Sequence, residues 1–93
     1  MWKIRSFYLF KKLTLTELSE LEAALVAWAK DLQILGLVIV STEGLNTTIS
    51  GSDLGLENFI SRVRDFFKQD TSVVNASEST TRPFRRFRVR RRS

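Results

Sequence analysis

Leu37-Val-Ile-Val-Ser-Thr-Glu-Gly-Leu-Asn-Thr-Thr-Ile-Ser-Gly51 is the stretch on which the fold turns. Its first four residues are apolar throughout and rich in β-branching, as in a buried strand. Glu43-Gly44 has the character of a tight hairpin turn, where glycine supplies a positive φ. Beyond it, Leu45, Thr47 and Ile49 alternate with Asn46, Thr48 and Ser50, the period of a strand with two unlike faces. A hairpin therefore occupies the middle of the chain, and its flanks decide the architecture.

A helical pattern lies on each side. Upstream, Thr14 and Glu17 have the spacing of a capping box, in which each side chain satisfies a free backbone N–H of the first turn. Leu18, Leu21, Leu25, Trp28 and Leu32 then recur at three- and four-residue steps and make one apolar stripe. Trp28 is on that stripe and so belongs to the core. Gly36 is the expected helix stop. Downstream, Gly51-Ser-Asp53 breaks the hairpin and offers Ser52 or Asp53 as an N-cap. Leu56, Phe59, Ile60, Val63, Phe66 and Phe67 form the apolar face of the second helix.

The outer segments complete the pattern. Residues 2–10 are aromatic and extended in character and read as a first strand. Asp70-Thr-Ser72 reads as a turn, Val73-Val74 as the start of a short edge strand, and Asn75–Arg82 as a polar loop ending at Pro83. Phe84–Arg91 reads as the last strand, with Phe87 and Val89 on one face and Arg86, Arg88 and Arg90 on the other. The order strand, helix, strand, strand, helix, strand predicts an α+β fold. Its architecture is a ferredoxin-like or acylphosphatase-like split βαβ sandwich with two helices on one face of an antiparallel sheet. The 93 residues make a single domain, 1–93, with no internal repeat.

Composition narrows the function. Apolar residues are 43% of the chain, enough for a core. With no cysteine and no histidine, disulfides, thiol chemistry, a His-based acid/base pair and a zinc or haem site are not expected. No catalytic residue, metal or cofactor is assigned. The longest apolar run is far short of the roughly 20 residues of a membrane span, so a cytoplasmic protein with no membrane partner is expected.

The net charge of +5 is unevenly spread. Residues 1–81 hold eight Lys/Arg against ten Asp/Glu, whereas Arg82-Pro-Phe-Arg-Arg-Phe-Arg-Val-Arg-Arg-Arg92 has seven arginines and no acid. Arginine's planar fork suits phosphate, so this end points to a nucleic acid. The candidate contacts are Arg82, Phe84, Arg85, Arg86, Arg88, Arg90 and Arg91, with Phe84 placed to stack on a base. The structural alternative is an edge strand whose charge blocks further pairing. Exposure of Arg86, Arg88 and Arg90 on one face, beside Lys3 or Arg5, would favour RNA; cover by acids would favour docking. Asn46 is expected to bond back to the Glu43-Gly44 turn; the alternative is that Glu43, Gly44 and Asn46 form a turn that meets tRNA or a neighbouring domain, with Asn46 hydrogen-bonding across that contact. Lys11-Lys12 occupies the junction where acylphosphatases hold phosphate, but no glycine-rich cradle accompanies it.

Glu43-Gly-Leu-Asn-Thr-Thr-Ile-Ser-Gly51, the Pro83-Phe-Arg-Arg-Phe-Arg-Val89 segment and the element order around them carry a resemblance. Over nearly its whole length the chain resembles the N-terminal domain of the rhodanese-related tRNA uridine hydroxylases (TrhO). That resemblance implies a ferredoxin-like domain followed by a rhodanese domain with the reactive cysteine, in enzymes that hydroxylate the wobble uridine of certain tRNAs in an oxygen-dependent reaction. Glu43, Gly44, Asn46 and Gly51 match the family's turn motif. Thr47 stands where the family usually has glycine. The chain reaches Ser93 with no cysteine, so it is expected to be a cut-out domain or a shortened relative. The resemblance implies an accessory, tRNA-positioning role without catalysis, with tRNA and a rhodanese domain as partners. A structural docking domain, a stand-alone RNA-binding module and an acylphosphatase-like hydrolase are the alternatives. An open sheet face in such a fold also allows a homodimer.

Overall fold

The computed structural model describes residues 2–70 and 75–92. In chain order the elements are β1 (Trp2–Phe10), α1 (Leu15–Leu32), β2 (Leu35–Ser41), β3 (Gly44–Gly51), α2 (Asp53–Phe67), β4 (Asn75–Ser79) and β5 (Phe87–Arg91). The five strands form one sheet in the order β4-β1-β3-β2-β5. The first four are mutually antiparallel; β5 runs parallel to β2 at the far edge. Both helices pack on one face, as an acylphosphatase-like, ferredoxin-like α+β fold requires.

The helix ends follow local chemistry. Thr14 caps α1 through a complete capping box: its Oγ1 accepts from Glu17 N at 3.1 Å while Glu17 Oε1 accepts from Thr14 N at 2.9 Å. The backbone donor at Thr14 is the first cause of a Glu17 pKa below the usual glutamate value. Of the two candidate caps for α2, Ser52 serves, its Oγ accepting from Gly55 N at 3.0 Å. At the C-terminus of α2, Lys11 Nζ donates to the Phe67 carbonyl at 2.8 Å, placing a cation at the negative end of the helix dipole.

Alternation sorts the core. Phe7 and Leu9 of β1, Leu45 and Ile49 of β3, and Val38 and Val40 of β2 are buried beneath the helices. From above, Leu18, Leu21 and Leu25 of α1 and Leu56, Phe59 and Val63 of α2 close the layer. Trp28 is half-buried and makes edge-to-face contacts with Phe59 and Phe66. Phe87 reaches the same cluster, 6.0 Å from Phe59 between ring centroids.

Several expectations need correction. Gly36 does not stop α1. Gln33 does, in the left-handed conformation (φ 56°), and Gly36 lies inside β2 with φ 133°. A side chain there would meet the Thr48 backbone of β3. Asn75–Ser79 is not a loop but the edge strand β4, paired with β1 from Trp2↔Ser79 to Ser6↔Asn75. It takes the fourth place of the split βαβ unit. The last strand starts at Phe87 rather than Phe84 and is the additional one, beside β2. The expected strand start at Val73-Val74, and the Thr71 and Ser72 part of the expected turn, lie outside the described residues.

Two substitutions test this packing. Gly44 has φ 136° and a Cβ there would collide with the Leu9 carbonyl, so Gly44→Ala is expected to cost more than about 3 kcal/mol in urea unfolding. Thr47, 1% exposed, faces the helices, and its Oγ1 has no hydrogen-bond partner among the described residues. Thr47→Val replaces that buried hydroxyl by a methyl and is expected to raise stability by about 1 kcal/mol.

Candidate nucleic-acid interface

The face of the sheet away from the helices carries the alternate residues. Across one row, β1 to β5, the register sets Tyr8, Asn46, Ile39 and Arg90 side by side; the next row sets Ser6, Thr48, Leu37 and Arg88. Arg88 and Arg90 are exposed on this open face, while Phe87 and Val89 pack inward. The expected division of β5 into an apolar and a basic face is therefore present. Among the described residues neither Arg88 nor Arg90 is paired with an acid.

The other arginines separate from these two. Arg91 shares the inward parity of Phe87 and Val89 and reaches α1, where its guanidinium bonds Glu22 and, at 3.3 Å, Ser19. It fastens β5 to α1 and does not share a surface with Arg88 and Arg90. Arg82 lies 5.9 Å above the Trp2 ring as a cation–π pair. Arg85 and Arg86 are exposed in the loop before β5, and the Arg86 carbonyl accepts from Gly36 N at 3.0 Å. Phe84 is half-buried in the same loop. Lys3 and Arg5 do not join the arginine face. Arg5 pairs with Asp53 at the start of α2, 3.6 Å away, and Lys3 with Glu78 of β4. The hydrogen bond between the last two raises the Lys3 pKa and lowers that of Glu78.

The Glu43-Gly44 turn adjoins the open face at its other end. Gly44 supplies the positive φ expected of it. Asn46, however, does not hold the turn: Ser41 Oγ accepts from Glu43 N at 3.1 Å, and Asn46 is exposed opposite Tyr8. Gly51 closes β3, opposite Lys3. Tyr8 and Phe10, which composition alone did not single out, are 49% and 74% exposed beside Asn46. Their signal in the sequence was the alternation with buried Phe7 and Leu9.

At the β1–α1 junction two backbone amides are tied to the hairpin turn. Lys11 N donates to the Glu43 carbonyl at 2.9 Å and Leu13 N to that of Thr42 at 2.7 Å. These two donors are thereby withdrawn from any phosphate cradle at this junction. Among the described residues there is no cluster of acids able to hold a metal ion, and no helix is long and apolar enough to cross a membrane.

Comparison with known proteins agrees with the fold. The model of the family described as UPF0176 acylphosphatase-like domain matches residues 2–93. A tRNA uridine(34) hydroxylase of Bdellovibrio bacteriovorus is 35% identical over 91 residues, covering 97% of this chain and 25% of its own length. One from Prochlorococcus marinus is 29% identical, covering 98% and 28%. The chain thus spans about a quarter of the length of these curated relatives. Among solved structures, the dark state of the BLUF protein BlrB superimposes with a TM-score of 0.80 at 14% identity, covering 97% of this chain and 70% of that one. A full-length HypF structure does so with 0.65 at 15%, covering 96% and 12%. At such identities the likeness is one of fold.

The division of labour among the arginines is testable. Arg91→Ala is expected to cost less than about 1 kcal/mol, since the ion pair is partly solvated, and to speed hydrogen exchange of the β5 amides. Arg88→Ser is expected to leave both unchanged.

Proposed function

The chain belongs to the UPF0176 acylphosphatase-like domain family, and from that premise we propose that it is the tRNA-positioning part of a longer tRNA uridine(34) hydroxylase. The observation that carries the reading is the pair of exposed arginines, Arg88 and Arg90, without an acidic partner among the described residues, on the sheet face that the helices leave open. Relatives named tRNA uridine(34) hydroxylases support tRNA as the substrate and, with it, the cytoplasm as the place of work. Arg85 and Arg86 extend the basic surface along the loop that leads into β5.

In this role the residues described here do no chemistry. A reactive cysteine in a rhodanese domain elsewhere in the longer protein acts on the base, while this domain holds the tRNA in register. Holding a substrate is a catalytic contribution in its own right, because it removes the entropic cost of bringing reacting groups together. A two-arginine face fits positioning rather than sequence reading, since phosphate contacts fix orientation and carry no sequence information. As β5 is an edge strand, the same charges also discourage a second strand from pairing there. The acylphosphatase-like alternative lacks support at the β1–α1 junction, where the Lys11 and Leu13 amides are already engaged with the hairpin turn.

Filter binding of bulk tRNA across a salt series tests the proposal. The Arg88→Ser/Arg90→Ser variant is expected to bind more weakly and to lose about one unit of salt slope per arginine. Unchanged affinity and slope would sink the RNA reading. If the same variant then associated more weakly with the remainder of a relative's hydroxylase, docking would replace it.

A further inference from the structure

Beyond the arginine edge, the open face has a second feature that phosphate binding does not use. Tyr8, Phe10, Ile39, Ser41, Gly44 and Asn46 line a shallow depression of about 430 Å³, with Glu43 and Arg92 at its rim. We propose that this depression seats one unpaired base of single-stranded RNA, so that the domain prefers single-stranded to duplex RNA. The proposal rests on the RNA-binding reading above and adds the class of nucleic acid to it.

Four observations carry it. First, Tyr8 and Phe10 stand on the same face of β1, their ring centroids 5.4 Å apart and their planes tilted by 58°. They are exposed although most large apolar side chains here are buried. An exposed aromatic ring on a sheet offers a sequence-tolerant face on which a base can stack, the second ring closing against the base's edge, and unstacked bases are what such surfaces take from RNA. Secondly, Asn46 sits directly opposite Tyr8 in the β1–β3 register. Its carboxamide has both donors and an acceptor, the complement that the edge of a stacked base requires. No hydrogen bond within the described protein engages that side chain, and Ser41 performs the turn-holding task otherwise natural to it.

Thirdly, the arginines stand at the right distance. Tyr8 and Arg90 are three strand spacings apart in one row, about 14 Å between backbones. An arginine reaching inward over Ile39 and a sugar-phosphate reaching outward from the stacked base bridge that gap. Arg92, whose backbone N–H is anchored on the Val40 carbonyl at 2.7 Å, provides a second cation at the same end. Fourthly, the charge is directional. Glu43 at the turn repels phosphate, while Arg90 and Arg92 attract it, so the backbone of the bound strand runs along β5 and its base points toward β1. A duplex presents no free base to the aromatic pair and gains only the phosphate contacts.

Fluorescence anisotropy with the 93-residue chain decides the matter, using a labelled ten-nucleotide oligouridine and a ten-base-pair RNA duplex at one salt concentration. The single strand is expected to bind more tightly. Tyr8→Ala/Phe10→Ala is expected to weaken single-strand binding by roughly 5- to 100-fold while duplex affinity moves less than twofold. Circular dichroism and a thermal melt verify folding, which these exposed positions should not disturb. Equal wild-type affinities for strand and duplex, or a folded aromatic variant that keeps its single-strand affinity, overturn the seat. The arginine variant separates the two ideas. If Arg88→Ser/Arg90→Ser weakens both ligands while the aromatic variant weakens neither, only the base seat fails. If neither variant changes either ligand, the tRNA-positioning reading fails with it.

Discussion

One-sided burial is the constraint on which the rest of this structure depends. Two helices with single apolar stripes cover one face of the three central strands, and the residues that fill the interlayer space are the alternate ones: Phe7, Leu9, Leu45, Ile49, Val38 and Val40. Because side chains alternate along a strand, filling one face assigns every remaining residue to the other. Tyr8, Asn46, Ile39, Arg88 and Arg90 reach the open face as the complement of the core. A slip of one residue in β3 would exchange the two sets and carry Asn46 beneath the helices.

The close approach of the central strands makes that register rigid. At Gly36 and Gly44 the backbone adopts φ values near 135°, and a Cβ would run into the neighbouring strand's main chain. Gly44 also sets the hairpin next to β1, where Phe10 is its partner. The same turn accepts the Lys11 and Leu13 amides, so one small loop fixes the hairpin and seals the junction between β1 and α1. Thr47 sits in the middle of this arrangement with a buried hydroxyl that lacks a partner among the described residues. The resemblance had suggested that glycine is usual there, and the structure places the side chain under the helices in direct register with Phe7 and Val38.

The basic end of the chain is less uniform than its composition suggests. Seven arginines in eleven residues divide by geometry into different tasks. Arg91 joins β5 to α1 through Glu22 and Ser19. Arg82 lies over Trp2. Arg88 and Arg90 face solvent beside a row that leads to Tyr8. A segment that looks like one polyanion-binding run is partly a clasp, and only its outward residues remain available to a ligand.

Local chemistry was enough to read the capping box at Thr14, an N-cap at Ser52 or Asp53, both apolar stripes, the hairpin turn at Gly44 and the two faces of β5. Each depends on residues within a few positions of one another, and period and cap spacing record such contacts directly. Asn75–Ser79 could not be read in this way. It is polar and exposed, and it is a strand only because β1 offers it hydrogen bonds from more than 65 positions away along the chain. The place of β5 beside β2, parallel to it, is likewise a choice of partner that alternation cannot make. The pairing of Arg91 with Glu22, and the alignment of Tyr8, Asn46 and Arg90 in one row of the open face, follow from strand order and register. By itself, then, the sequence determined which segments are helix or strand in the packed core and where the charge lies. Tertiary structure alone decided which edge each outer strand joins and which arginines share a face with the aromatic pair. Non-local hydrogen bonds set those outcomes, and they leave no periodic trace in the residues that make them.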